Sequence, residues 1–293
     1  MKKLLFIGMI LLCASCRKDT PDGPTVPPED REETVRIQTR AEEGVLNEGV
    51  NAGLYMVNYF DGQQDELLAT ANYVNNQLLT FTDGYWNTAK PIYWMDMDTP
   101  ADFYAYVPYQ KEVLDARALS FSVQQDQTTI AGLAQSDFLW GILQGQSPTE
   151  SSFDLTLSHL LSRLTVKVEA ASNLVENINV KDVSVAIGGT KTAAKIDLAT
   201  GAITPDGEAQ EVKCHSNGDL SYTAILIPQQ VPFCNLIQII WDGNPYTLQN
   251  AFKLEPKHQY TITVKLKKTE SGFDVGIDGW DIIDEDFGGT VGG

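Results

Sequence analysis

Past residue 34 the apolar residues of this chain recur at every second position. Val35-Arg36-Ile37-Gln38-Thr39-Arg40 alternates apolar with polar. So do Leu164-Thr165-Val166-Lys167-Val168-Glu169, Val183-Ser184-Val185-Ala186-Ile187 and Tyr260-Thr261-Ile262-Thr263-Val264-Lys265-Leu266-Lys267. A period of two turns one row of side chains toward a core and the next toward water, which suits an antiparallel sheet and not the 3.6-residue period of a helix. Turn signals cut the strands: Asp61-Gly62, Asp83-Gly84, Gly188-Gly189, Asp206-Gly207, Asn217-Gly218-Asp219 and Asp242-Gly243-Asn244. These residue types accept the backbone angles of tight turns. Lys195 to Ile203, with Ala199-Thr200-Gly201 at its centre, reads as a hairpin. Phe153 to Val168 reads as one long apolar strand, and Phe103 to Tyr109 as a half-buried aromatic strand. The best helical stretch, Asp137 to Leu143, is short. The chain is therefore expected to be all-β: two tandem antiparallel β-sandwich domains over residues 34–148 and 149–293, divided at the polar, turn-rich segment Gly145 to Glu150.

The first thirty residues follow different rules. Lys2 and Lys3 precede an apolar run from Leu4 to Cys13, about ten residues and too short for a bilayer that needs roughly 20. The small residues Ala14-Ser15 then lead into Cys16. Cys13-Ala14-Ser15-Cys16 resembles a bacterial lipobox, with Cys13 where Leu is usual, and this implies a signal peptide over residues 1–15 and lipidation of Cys16. Residues 16–33 hold Pro21, Pro24, Pro27 and Pro28 without apolar periodicity and read as a semi-extended tether. A lipid, a tether and a folded body describe a protein displayed from a membrane surface.

Charge excludes some partners. The chain carries 39 Asp+Glu against 21 Lys+Arg, a formal net charge of −18, and nucleic-acid binding needs the opposite balance. With 43 % hydrophobic residues the body can still bury a core. Beyond the lipid site, Cys214 and Cys234 could pair in an exported protein or remain two buried thiols, and the sequence leaves both open.

No catalytic or metal-binding constellation stands out, and no cofactor is expected. His159, His215 and His258 lie far apart without zinc-ligand spacing. His159 follows Phe153, Leu155 and Leu157 and reads as a hydrogen-bonded core histidine. Asp96, Asp98 and Asp102 lack the glycine and terminal glutamate of a calcium loop and read as a solvated turn. There is no phosphate loop, nucleophile elbow or metalloprotease helix. The chain does not read as an enzyme.

Five stretches, in this order, resemble the fimbrillin-like lipoproteins, the type V pilins with their anchor and tip relatives. They are Val35 to Ala41, Asp102 to Tyr109, Asp137 to Gly141, Leu157 to Val168, and Gly279-Trp280 after a closing strand. The resemblance implies transthyretin-like folds for both domains, a lipoprotein that reaches the outer membrane, and a place in a fimbrium that supports cell adhesion. It also implies that an Arg- or Lys-specific protease removes the lipid with the first strand, after which a strand from another pilin subunit fills the groove. Val35 to Arg40 reads as a short, edge-like strand, with Arg40 the candidate cleavage site and Arg36 and Arg31 its rivals. The candidate donor strand is Phe273, Val275 and Ile277, followed by Trp280, Ile282 and Ile283, the lesser alternative being that this strand completes its own domain. Burying four or five such groups is worth roughly 6–15 kcal/mol before ordering costs, the scale of a long-lived polymer. A host or bacterial surface ligand is the remaining expected partner. The competing reading is a lipid-anchored protein that captures glycan on exposed aromatics such as Tyr85, Trp86, Tyr93 and Trp94.

Overall fold

The computed structural model of the chain describes residues 33–38, 48–170, 182–268 and 275–286, with residues 267–268 and 275–286 described by their backbone alone. The first half holds β1 (Ile37–Gln38), β2 (Asn51–Asn58), β3 (Val74–Thr82), β4 (Tyr85–Asn87), β5 (Ala101–Val107), β6 (Leu119–Ser122), the helix α1 (Ile130–Gln135), β7 (Leu139–Gln146), β8 (Phe153–Asp154) and β9 (Ser158–His159). The second holds β10 (Ser162–Ala170), β11 (Val183–Ile196), β12 (Ile203–Lys213), β13 (His215–Gly218), β14 (Ser221–Leu226), β15 (Gln229–Trp241), β16 (Asn244–Leu254), β17 (His258–Lys268) and β18 (Val275–Asp286). The all-β class read from the alternation is what is found.

Eight strands of the first half form one sheet in the order β8-β1-β4-β3-β2-β5-β7-β9. Its two end strands are joined by residues 155–157 alone, so the sheet must curl until its ends meet. Leu155 and Leu157 in that link point into the core that the curl encloses, alongside Ile37, Leu54, Met56, Leu79, Trp86, Trp94 and Phe103. Closure depends on Gly141 in β7, where an added Cβ would overlap the carbonyl oxygen of Thr156.

The middle of this sheet is buried on both sides. Leu54 and Met56 face the enclosed core, while Tyr55 and Val57 face a second core that also holds Phe121, Phe138, Leu160, Leu161, Ala194, Ile196, Ile225 and Ile227. That second core draws on both halves and fixes one against the other. Three polar links reinforce it. β6 pairs with β11 from Leu119↔Ile196 to Ser122↔Ala193. The fully buried Gln127 donates to the Ile225 carbonyl and accepts from the Ile225 N–H, both at 2.8 Å. The Trp140 indole N–H donates to the Leu198 carbonyl at 2.8 Å.

The second half is a sandwich. A sheet ordered β13-β14-β10-β17-β18 faces one ordered β12-β11-β15-β16. Leu164, Val166, Tyr222, Ile262 and Val264 from the first meet Val185, Ile187, Ile237, Ile239 and Phe252 from the second. Strict alternation along β10 and β17 produces this face. The hairpin read from Lys195 to Ile203 is present, with Ile196 opposite Ile203.

Several expectations need correction. Phe153 to Val168 is three strands, not one, and β8 and β9 belong to the first sheet. The chain therefore leaves that sheet at residues 160–161, later than the Gly145–Glu150 turn, because Leu155 and Leu157 are needed to seal the first core. The aromatic strand β5 is buried on both faces rather than half-buried. Asp137 to Leu143 runs into strand β7, and the helix lies just before it, capped by Thr129, whose hydroxyl accepts from the Gly132 N–H. Gly188-Gly189 is no turn. It is a bulge within β11, where Gly189 has φ +71° and a Cβ at either glycine would overlap β15 atoms, the Cys234 Sγ or the Asn235 carbonyl.

Candidate functional site

The N-terminal strand is held on both sides. Along one flank the Val35 N–H donates to the Ile92 carbonyl at 2.8 Å, the Trp94 N–H donates to the Glu33 carbonyl at 3.3 Å, and Gln38 stands opposite Tyr85 of β4. Along the other, the Phe153 N–H donates to the Arg36 carbonyl at 3.1 Å and the Leu155 N–H to the Gln38 carbonyl at 2.9 Å. The first flank is antiparallel and the second, with β8, is parallel. Residues 33–38 are thus an inserted strand, not the edge strand expected, because the curl of the sheet brings β8 against the side that would otherwise face water.

Alternation sets which side chains it buries. Ile37 is 6 % exposed and Val35 packs partly against the same core, while Arg36 points outward, its Nε 3.4 Å from the Thr34 hydroxyl. The core beneath Ile37 contains an aromatic group: Phe103 and Phe153 have ring centroids 4.9 Å apart, with Trp94 at 5.6 Å from Phe103 and 5.9 Å from Phe153. Burying Ile37 is worth about 1.5–3 kcal/mol. Each flanking backbone bond adds about 0.5–1.5 kcal/mol. The bonding is sufficient to keep the strand seated, and its loss would leave a groove with unpaired backbone on two walls and an apolar floor. From the sequence Trp94 reads as a glycan-facing aromatic and Phe153 as the start of a long strand, and nothing there places either beneath Ile37. A two-residue parallel strand such as β8 leaves no periodic signal.

Of the residues expected to matter, Cys16, Arg31, Arg40 and Phe273 lie outside the described residues. Arg36 lies within the doubly bonded strand. Val275, Ile277, Trp280 and Ile282 lie on β18, whose backbone pairs antiparallel with β17 at the rim of its sheet, Val275 opposite Lys268 and Ile282 opposite Ile262.

Cys214 and Cys234 are free thiols. Cys214 bonds through its N–H to Val185 and follows β12, on one side of β11, whereas Cys234 is on β15, on the other side. Two strand spacings, about 9.6 Å, exceed the roughly 7 Å limit between disulfide Cα atoms. Burial raises both thiols above the ordinary cysteine range.

His159 is a bonded core histidine, its Nδ1 2.9 Å from Asp137 Oδ1. Asp96 is an exposed turn residue as read, accepting from the Asp98 and Thr99 N–H groups. Asp102 is different: it is fully buried, one carboxylate oxygen accepting from the Gly145 N–H at 2.7 Å and the other from the Gln64 amide at 2.6 Å and the Tyr104 hydroxyl at 3.1 Å. Among the described residues no group of three or more His, Cys, Asp or Glu could hold a metal ion. The four aromatics of the glycan reading do not form a platform. Trp86 and Trp94 are 9 % and 2 % exposed and belong to the first core, pulled inward by the same alternation that exposes Tyr85.

These features define an all-β chain of two packed halves whose N-terminal strand is threaded into its first sheet. The chain belongs to the fimbrillin-like family, whose model matches residues 39–280. Three solved Bacteroides structures share the fold. One from Bacteroides uniformis, described as a candidate cell adhesion protein, has a TM-score of 0.67 at 19 % identity over 89 % of this chain and 99 % of that one. One from Bacteroides ovatus with the same description has a TM-score of 0.63 at 18 % identity over 87 % and 96 %. A fimbrial protein from Bacteroides vulgatus has a TM-score of 0.53 at 14 % identity over 87 % and 99 %. No curated protein matches the chain in sequence.

Proposed function

We propose that the chain is a subunit of a surface pilus supporting cell adhesion, exported as an outer-membrane lipoprotein on Cys16, and that it assembles when strand 33–38 is exchanged for a strand of a neighbouring subunit. The observation that supports this best is the double pairing of that strand: a terminal segment sits where a central strand belongs, over an apolar floor. Family membership and the fimbrial and adhesion proteins that share the fold point the same way. A structural role of this kind needs no catalytic group.

The geometry bears on which arginine is cut. An Arg-specific protease binds its substrate as a free extended strand, and Arg36 is occupied on both sides. A cut after Arg31 leaves residues 33–38 seated. A cut after Arg40 releases the lipid and the whole strand together, so Arg40 is the productive site. The donor, Phe273 to Ile283, supplies apolar residues at alternating positions for backbone pairing on both walls of the vacated groove. Among the described residues β18 pairs with β17 alone, so its release breaks a single described ladder. Transthyretin-like topology for both domains is part of the same reading.

Limiting Arg-specific proteolysis of the purified chain, followed by mass spectrometry and non-boiled denaturing electrophoresis, tests it. A cut at Arg40 followed by a ladder of heat-sensitive oligomers is expected. A chain cut there that stays monomeric at high concentration overturns polymerisation of this chain with itself.

A further inference from the structure

In a chain with 39 Asp and Glu residues, β2, β3 and β4 contain no Asp, Glu, Lys or Arg. Leu54, Met56, Leu79 and Trp86 on these strands face the enclosed core, so alternation turns Asn51, Leu78, Thr80, Thr82, Tyr85 and Asn87 to the outer face. Register lines them up across the sheet: Asn51 opposite Thr80 and Thr80 opposite Asn87 in one row, Thr82 opposite Tyr85 in the next. The rows are internally bonded. The Thr80 hydroxyl donates to Asn51 Oδ1 at 2.8 Å, and Asn87 Nδ2 donates to the Thr82 hydroxyl at 2.7 Å. Those bonds fix the side chains while leaving the Asn51 amide N–H groups and the Asn87 amide oxygen with further capacity. Tyr85 is 52 % exposed and Leu78 39 %.

We propose that the outer face of β3 and β4, with Asn51 at the exposed start of β2, binds a neutral oligosaccharide. A sugar offers hydroxyls to fixed amides and hydroxyls, and a C–H face to an exposed ring that is apolar in its body and polar at its tip. β2, β3 and β4 offer an anion no cation of their own, the neighbouring Arg36 being turned to Thr34, and the net charge of −18 disfavours sialylated or sulfated ligands through the surrounding field. Size selects against a second copy of the chain. The patch spans about 10 Å across three strands and about 14 Å along them, far short of the roughly 800 Å² per partner of a stable protein interface. Its two exposed apolar groups do not make the apolar centre such an interface needs. The site borders the strand groove at Tyr85, which stands opposite Gln38 of β1, but its ligand-facing groups lie on β2, β3 and β4 and not on the strand that is exchanged.

Affinity electrophoresis of the full chain through gels containing mannan, xylan or dextran, with heparin as the anionic comparison, tests the site. Retardation by at least one neutral polymer and not by heparin is expected. Tyr85→Ala and Asn87→Ala should each weaken it about tenfold, while Phe233→Ala, which removes an exposed aromatic on β15, should leave it unchanged. No retardation by any neutral polymer, retardation by heparin alone, or an undiminished response in Tyr85→Ala overturns the proposal. So does a dimer in sedimentation that Tyr85→Ala dissolves, which would assign the face to a second copy.

Discussion

Phe153 stands opposite Ile37 in a parallel ladder, its N–H donating to the carbonyl of the residue before, Arg36, at 3.1 Å. The last strand pair to close the first sheet therefore joins its first residues to residues more than a hundred positions later. Ile37 also packs into the core that Phe153 helps to floor. Ile37→Ala should cost about 2–4 kcal/mol, the range for truncating a buried aliphatic side chain, read as a lower urea midpoint at unchanged slope. Because the strand is then held by backbone bonds alone, Arg-specific cleavage should also quicken. Arg36→Ala, with its side chain outside, should change stability by less than about 0.5 kcal/mol.

Gly141→Ala tests the closure of the first sheet. Its Cβ would overlap the Thr156 carbonyl oxygen, which is backbone and cannot rotate away. A loss of more than about 2 kcal/mol is expected, with thermal unfolding as the measurement. A nearly neutral effect would show that residues 155–157 do not cross β7 so closely.

Gln127 ties the halves together. Gln127→Leu keeps its volume but leaves the Ile225 N–H and carbonyl without the partners they have at 2.8 Å. A loss of about 2–4 kcal/mol is expected from two unpaired buried groups. Calorimetry of the parent should show the halves unfolding together, since one core contains residues of both.

Stability should fall at alkaline pH. Burial, then the neighbouring Asp102 charge, pushes the Tyr104 hydroxyl up to about 12, and burial pushes Tyr106 to about 12. An unfolded tyrosine ionises near pH 10. The unfolded chain thus loses these protons first, so the contribution is whole below about pH 10 and is lost as pH rises to about 12. Tyr104→Phe should flatten the decline of the urea midpoint across that window, and ultraviolet titration should show a late-ionising class of tyrosines in the folded chain.

Thiol titration checks the cysteines. Cys214 is buried and raised by that burial, so it should resist an aromatic disulfide reagent until the chain unfolds. Cys234, partly exposed, should react first and slowly. Recovery of no reactive thiol on unfolding would mean that the pair is oxidised.

Strands with one wet face were legible in the sequence. Val166 and Lys167, or Ile262 and Thr263, alternate because each opposite face meets water, and the structure places them as read. Legibility failed where both faces are covered. Tyr55 and Met56 are both fully buried, so no period shows on β2, and the double cover of β5 was likewise unreadable. The strand at residues 35–38 was visible by its alternation, but not its second neighbour. That neighbour is β8, two residues long and parallel, and its pairing depends on the curl of a whole sheet. Trp86 and Trp94 looked like surface aromatics for the same reason: exposure is set by which way the sheet closes.

Hydrogen exchange at two amides tests strand exchange most directly. The Phe153 and Leu155 N–H groups donate to Arg36 and Gln38 on the N-terminal strand. Both should be protected in the intact chain, exchange rapidly in the Arg40-cut monomer, and regain protection in the assembled polymer. Continued protection in the cut monomer, or lasting exposure in the polymer, would contradict the replacement of residues 33–38 by a neighbour's strand.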